Sequence, residues 1–107
     1  VYKRQEDDLR DALFAAALRQ EAIRDAPVVL AVSAVFARTK AKYGERGVRY
    51  GMIEAGHAAQ NVCLQATALG LGAVTIGAFH DGRVAKILRL GKNEAPLYLI
   101  PVGRPAR

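Results

Sequence analysis

The sequence predicts an α+β domain in which a sheet is flanked by helices. Two observations carry that expectation. Segments with helical spacing of apolar residues alternate with short runs rich in β-branched residues. The longest helical segment, residues 50–69, is alanine-rich and apolar nearly all round, so it needs a neighbouring layer to cover it.

The elements follow in chain order. Residues 6–24 read as one helix, with Leu9, Ala12, Leu13, Ala16, Ala17 and Ile23 near one face and Arg10, Arg19, Gln20 and Arg24 off it. Pro27 closes that segment, because a residue before proline is pushed out of the α region. Residues 28–35 form a continuous apolar run, expected to be a strand covered on both faces. Residues 38–49 are basic and contain Gly44 and Gly47, which reads as a loop.

The helix 50–69 carries one polar stripe, Glu54, His57, Asn61 and Gln65, and Gly70 and Gly72 stop it in the manner of a C-cap. Residues 73–76 are expected to be a short strand and 77–82 a turn. Asp81 is placed to cap a helix running to Leu90, with Val84, Ile87 and Leu88 inward and Gly91 ending it. Residues 97–102 complete the set as a strand. Pro101 has no N–H for a ladder, which puts it at an edge or strand end.

Length allows one domain, and 51% hydrophobic residues supply a modest core. No apolar run reaches the roughly 18 residues that span a bilayer. The charged first dozen residues do not have the pattern of a signal peptide. A single cysteine, Cys63, excludes an internal disulfide and fits a reducing cytoplasm. The net charge of +6 suits either an anionic partner or a solvated basic surface. The second reading is favoured because no aromatic residues interleave a basic stripe, so neither a nucleic-acid nor a membrane partner is expected. Residues 1–5 resemble one reading frame of a sequencing-library adaptor and are set aside as non-native; no initiator Met is present.

Several chemical motifs fail on their surroundings. Glu54 and His57 have the spacing of half a di-iron site, but only one copy exists, so no metal is expected. Cys63 with His57 or His80 is read as a packed thiol rather than a nucleophile. The glycines at 70, 72 and 77 follow a helix and precede a strand, the reverse of a dinucleotide fingerprint. Ser33 reads as a satisfied core hydroxyl. What remains is the loop around Gly77 and Ala78, which offers backbone without bulk. A planar heteroaromatic ring can approach main-chain N–H groups there, although on the loop alone an ordinary helix-to-strand connection is the favoured reading.

The pieces Arg46-Gly-Val-Arg-Tyr50, Glu54-Ala-Gly-His-Ala-Ala-Gln-Asn61, Leu69-Gly-Leu-Gly72, Ile76-Gly-Ala-Phe79 and Pro96-Leu-Tyr-Leu-Ile-Pro-Val-Gly103 are more specific. Together they make the chain resemble the nitroreductase family over residues 9–104. The likeness is strongest to the SagB-type branch of oxazole- and thiazole-forming peptide dehydrogenases. The resemblance implies a central mixed sheet flanked by helices, of which residues 6–107 would be the C-terminal part. The family's N-terminal Arg-Arg-Ser-type flavin motif and the helices after it are absent, so the chain alone is expected to hold flavin weakly, and to fold poorly because the apolar strand 28–35 lacks part of its cover.

The resemblance also implies a non-covalent FMN, with Thr75, Ile76, Gly77 and Ala78 lining its ring. Arg104 and Arg107 would face the phosphate. Arg49 or Arg46 would meet the phosphate or a nicotinamide donor, or else be solvated. No catalytic side chain is assigned. The implied activity is NAD(P)H-linked hydride transfer through flavin to a nitroaromatic, a quinone or a similar acceptor, or oxidation of a peptide azoline. The alternative is a non-catalytic flavin-binding or partner subunit. A homodimer built on the helix 50–69, with Ala59 and Ala66 at its interface, is the implied assembly.

Overall fold

A computed structural model of the chain describes residues 8–105. Residues 1–5, read above as non-native, lie outside the described residues, as do Glu6, the expected start of the first helix, and Arg107. The described residues form α1 (Arg10–Ala16), α2 (Glu21–Asp25), β1 (Val28–Ala34), α3 (Phe36–Tyr43), α4 (Arg46–Ala68), β2 (Gly72–Ala73), α5 (Asp81–Ile87) and β3 (Ala95–Gly103). Helices cover a small sheet, as the sequence predicts.

The sheet has the order β1-β3-β2, and both pairings are antiparallel, so the mixed character is not seen among the described strands. β3 is central. Successive side chains of a strand point to opposite faces, so Leu99 and Ile100, both fully buried, anchor two different layers. Leu99 packs with Leu13, Ala16, Ala17, Ile23, Ile76, Val84 and Leu88, which come mainly from α1, α2 and α5. α4 packs on the sheet as well. Its own buried residues recur at Gly47, Gly51, Ala55, Ala59 and Ala66, a stripe of one helical face. Burying side chains the size of Leu99 or Ile100 stabilises the fold by roughly 1.5–3 kcal/mol each.

Tertiary packing corrects several sequence expectations. The helix expected over 6–24 is two short helices. Leu18 and Arg19 both take positive φ, 57° and 58°, and turn the chain between them. The break follows from where the last carbonyls of α1 go. Ala16 C=O accepts the N–H of His80 at 2.9 Å, and Ala17 C=O accepts the N–H of Gln20 at 3.3 Å. A continuing helix would have claimed both carbonyls for itself.

The loop expected over 38–49 is α3 and the first turn of α4. Its two glycines have different jobs. Gly44, at φ 66°, ends α3. Gly47 is buried where α4 crosses α3, and a Cβ there would come within 2.6 Å of Lys40 N and 2.7 Å of Thr39 C. The glycine thus marks a close helix crossing, a meaning invisible in a local window.

β1 is an edge strand with Val28, Leu30 and Ala31 exposed, so the both-face cover expected of it is missing among the described residues. Asp81 is the first residue of α5 rather than its cap; His80 holds that position without a side-chain bond. α5 ends at Ile87, short of Leu90, and Arg89 at φ 55° follows. The stop of α4 is as expected. Gly70, at φ 75°, forms a Schellman motif in which Leu71 N–H reaches Ala66 C=O at 2.8 Å and Gly70 N–H reaches Thr67 C=O at 3.0 Å.

Pro101 is not at an edge. It lies inside the central strand, paired with Val29 on one side and reached from the other by Val74 N–H at 3.4 Å. The missing N–H faces β2, and β2 is correspondingly reduced to two residues plus a single bridge between Ile76 and Leu99.

Candidate functional site

The segment from Val74 to His80 runs off the end of β2 and returns toward α1. Its fixed points are few and specific. Ile76 exchanges two hydrogen bonds with Leu99, N–H to C=O and back, each 2.9 Å, and its side chain is buried in the core. His80 N–H bonds Ala16 C=O. Ala78 C=O accepts the side-chain amide of Gln20 at 2.9 Å. Around these anchors Thr75, Gly77 and Ala78 are exposed, and their N–H groups have no hydrogen-bond partner among the described residues.

The predicted site residues therefore divide. Thr75, Gly77 and Ala78 present free backbone donors beside little bulk. A Cβ added to Gly77 would meet only the Tyr98 ring, at an ordinary 3.7 Å. Ile76 spends both backbone groups and its side chain inside the fold, so it holds its neighbours in place. This arrangement fits the edge of a planar heteroaromatic cofactor: unpaired N–H donors on a loop tied down at Ile76 and Ala78, beside a glycine with room for a Cβ.

Arg104 follows β3 and is exposed, with its guanidinium unpaired among the described residues. It lines a cleft of about 390 Å³ with Ala22, Asp25, Pro27, Gly72 and Val74. Ile76 lies opposite Leu99, five residues before Arg104, which puts the two roughly 17 Å apart along the strand. Arg49 stands near the start of α4, whereas Arg104 lies by the strand that follows its end. Roughly 28 Å of helix separates Arg49 from Ala68, so Arg49 and Arg104 of one chain do not converge on one phosphate.

Arg46 is occupied by Tyr50. Its Nε donates to the tyrosine oxygen at 3.0 Å, and its guanidinium carbon lies 5.4 Å from the ring centre. Lys42 similarly covers Tyr43, and the two rings meet edge to face at 5.2 Å. The basic stretch thus does carry interleaved tyrosines, contrary to the sequence reading, with one of the chain's own cations near each ring, and Tyr43 remains 49% exposed.

Glu54, His57, Asn61 and Gln65 are exposed along α4, and no cluster of three His, Cys, Asp or Glu side chains suited to a metal occurs among the described residues. Ser33 Oγ donates to Glu94 Oε2 at 2.5 Å, a satisfied hydroxyl as expected. The shifted titration lies away from the loop: hydrogen bonds from Arg10 push the Asp8 carboxyl down to about 2. Gln20 was missed by the sequence reading, which placed it on the outer face of a continuous helix. Its only local signal is a glutamine in front of Glu21, a weak one.

The family model described as the nitroreductase family matches residues 1–104. A curated protein of Methanocaldococcus jannaschii that bears a nitroreductase name is 48% identical over 99 residues, covering 92% of this chain. The chain spans about half the length of that relative, 49%. A crystal structure from Anabaena variabilis, also under a nitroreductase name, superposes with a TM-score of 0.85 at 36% identity, over 94% of this chain and 20% of that one. The NADPH:FMN oxidoreductase of Vibrio harveyi, solved with NAD+, superposes with a TM-score of 0.79 at 26% identity, over 92% of this chain and 46% of its own.

Proposed function

The chain belongs to the nitroreductase family, and from that premise we propose that it forms part of an FMN-dependent oxidoreductase driven by NAD(P)H. The observation that carries this reading is the loop of Thr75, Gly77 and Ala78 with its unpartnered N–H groups: those of Gly77 and Ala78 lie between the Ile76–Leu99 bridge and the Gln20–Ala78 bond, and that of Thr75 just before the bridge. Bound FMN would accept hydride from the nicotinamide donor and pass electrons to a second substrate.

The chain's own residues supply position and charge. The backbone N–H groups of Thr75, Gly77 and Ala78 are the donors available to the polar edge of the ring. Preset donors of this kind need no reorganisation when charge develops next to them. Arg104, at the mouth of the cleft beside β2, is the cation for the flavin phosphate. Arg49, at the far end of α4, serves a different anion, either the donor's phosphates or a flavin shared across two subunits. A nitroaromatic, a quinone or a peptide azoline of the SagB-type reaction would be the second substrate. A cytoplasmic location belongs to the same reading, since the one cysteine is a free thiol.

A homodimer is part of this proposal, with a corrected interface. Ala59 and Ala66 are already buried within the chain, whereas Met52, Ile53 and Leu64 are exposed on α4. The second group supplies the apolar surface available to a partner.

The test is the visible flavin spectrum of the purified whole protein, followed by anaerobic addition of NADH or NADPH. Flavin absorbance that bleaches with either donor supports an oxidoreductase. Absorbance that does not bleach favours a flavin-binding subunit without turnover. Protein that takes up no FMN overturns both.

A further inference from the structure

We infer that Gln20 is a positioning residue for the cofactor loop; this rests on the flavin reading above. Gln20 occupies the N-cap position of α2, where Ser, Thr, Asp or Asn would normally satisfy the first free N–H groups of the helix. Its side chain makes no such cap bond. The amide nitrogen instead donates to two carbonyls, Ala17 C=O and Ala78 C=O, both at 2.9 Å. A primary amide has two N–H donors, and both are used. Both acceptors are carbonyls, so only the nitrogen end of the amide fits there.

The path of the chain is arranged around this contact. Leu18 and Arg19, neither of them glycine, both adopt the left-handed conformation. Such residues are uncommon outside positions held by surrounding structure. The turn they make delivers Gln20 beneath the loop, and a continuous helix would have carried it away from there. His80 N–H to Ala16 C=O forms a second tie two residues further on. Together the two bonds clamp residues 78–80 onto the end of α1. Holding Ala78 C=O toward Gln20 fixes the plane of the Ala78–Phe79 peptide. It thereby limits the directions open to the adjoining Ala78 N–H, one of the donors assigned to the ring, whereas Gly77 N–H lies in the peptide plane that Leu99 fixes through Ile76 C=O.

The test uses Gln20→Glu and Gln20→Leu in the whole protein. Gln20→Glu keeps the shape and replaces both donors with acceptors facing two carbonyls. Gln20→Leu removes the donors without adding charge. The measurements are FMN affinity by titration, the reduction potential of the bound flavin, amide exchange over residues 75–80, and thermal stability. The expected result is a dissociation constant for FMN that rises roughly tenfold, the size of effect set by losing a hydrogen bond to a held carbonyl. It is accompanied by faster exchange over 75–80 and a shifted flavin potential, with a cooperative melting transition retained. A general loss of packing would speed exchange throughout and leave the potential of the residual bound flavin unchanged, which counts against the assignment. Wild-type affinity and potential in both variants overturn the role of Gln20 and leave the flavin reading standing. Failure of the wild-type protein to bind FMN overturns the reading itself and this inference with it.

Discussion

Val74 donates its N–H to the Pro101 carbonyl at 3.4 Å and receives no N–H in return, because Pro101 has none. The neighbouring pair, Ile76 and Leu99, exchanges both bonds. In an antiparallel ladder two residues on, Val74 and Pro101 would do the same. A central-strand proline thus halves one rung of the sheet and lets the chain leave β2 just before the candidate site. Pro101→Ala supplies the missing donor. Amide exchange should slow over residues 73–76, measured by mass spectrometry against the unchanged strand β1.

Gly77 separates cofactor space from packing. Since a Cβ there would touch only Tyr98 at 3.7 Å, the chain has room for a larger residue. Gly77→Val should leave the melting temperature within a few degrees and reduce the flavin content of the purified whole protein. Unchanged flavin content with an unchanged fold would remove the loop from the site.

Gly47 behaves oppositely. Its added Cβ would meet backbone atoms of Thr39 and Lys40 at under 3.0 Å, which cannot move without separating α3 from α4. Gly47→Ala should destabilise by about 1–3 kcal/mol, the cost of overpacking, despite alanine's better helix propensity. Denaturant unfolding checks this. Gly56→Ala, with nothing within 4 Å, is the control and should be neutral or stabilising.

The two faces of α4 should respond differently to charge. Ile53→Arg or Leu64→Arg places a cation on a surface that is exposed in the single chain, so it should lower the association state seen by sedimentation without unfolding the protein. Ala59→Arg buries a charge within the chain itself and should prevent folding. A whole protein that is monomeric before mutation would remove the proposed interface.

Asp8 and Arg10 give a pH dependence of known sign. Hydrogen bonds from Arg10 lower the Asp8 carboxyl from 3.8 to about 2. A group with a depressed native value stabilises the fold above its unfolded value and loses that contribution as the pH falls through the native one. The stability difference between wild type and Asp8→Asn should therefore be constant above pH 3.8 and fade as the pH approaches about 2. Both groups are exposed, so added salt should shrink the difference as well.

Local pattern alone carried the fold class, the three strands, the long helix α4 with its stop at Gly70, and the loop around Gly77, but not the split between α1 and α2 or the presence of α3. Each of these is a local property: the spacing of apolar residues, a glycine free to take positive φ, or small residues side by side. The tertiary structure decided what depends on distant partners. The break at Leu18 and Arg19 exists because the carbonyls of Ala16 and Ala17 are claimed by His80 and Gln20. Gly47 reads as a loop signal until α3 lies across it. Pro101 reads as an edge residue until β2 is seen to have given up the rung it cannot complete. The same holds within the candidate site. Ile76, Gly77 and Ala78 are adjacent in sequence, yet the N–H of the first is spent on Leu99 and those of the other two are left open. Hydrogen-bond satisfaction is a property of the whole fold, and a local pattern does not contain it.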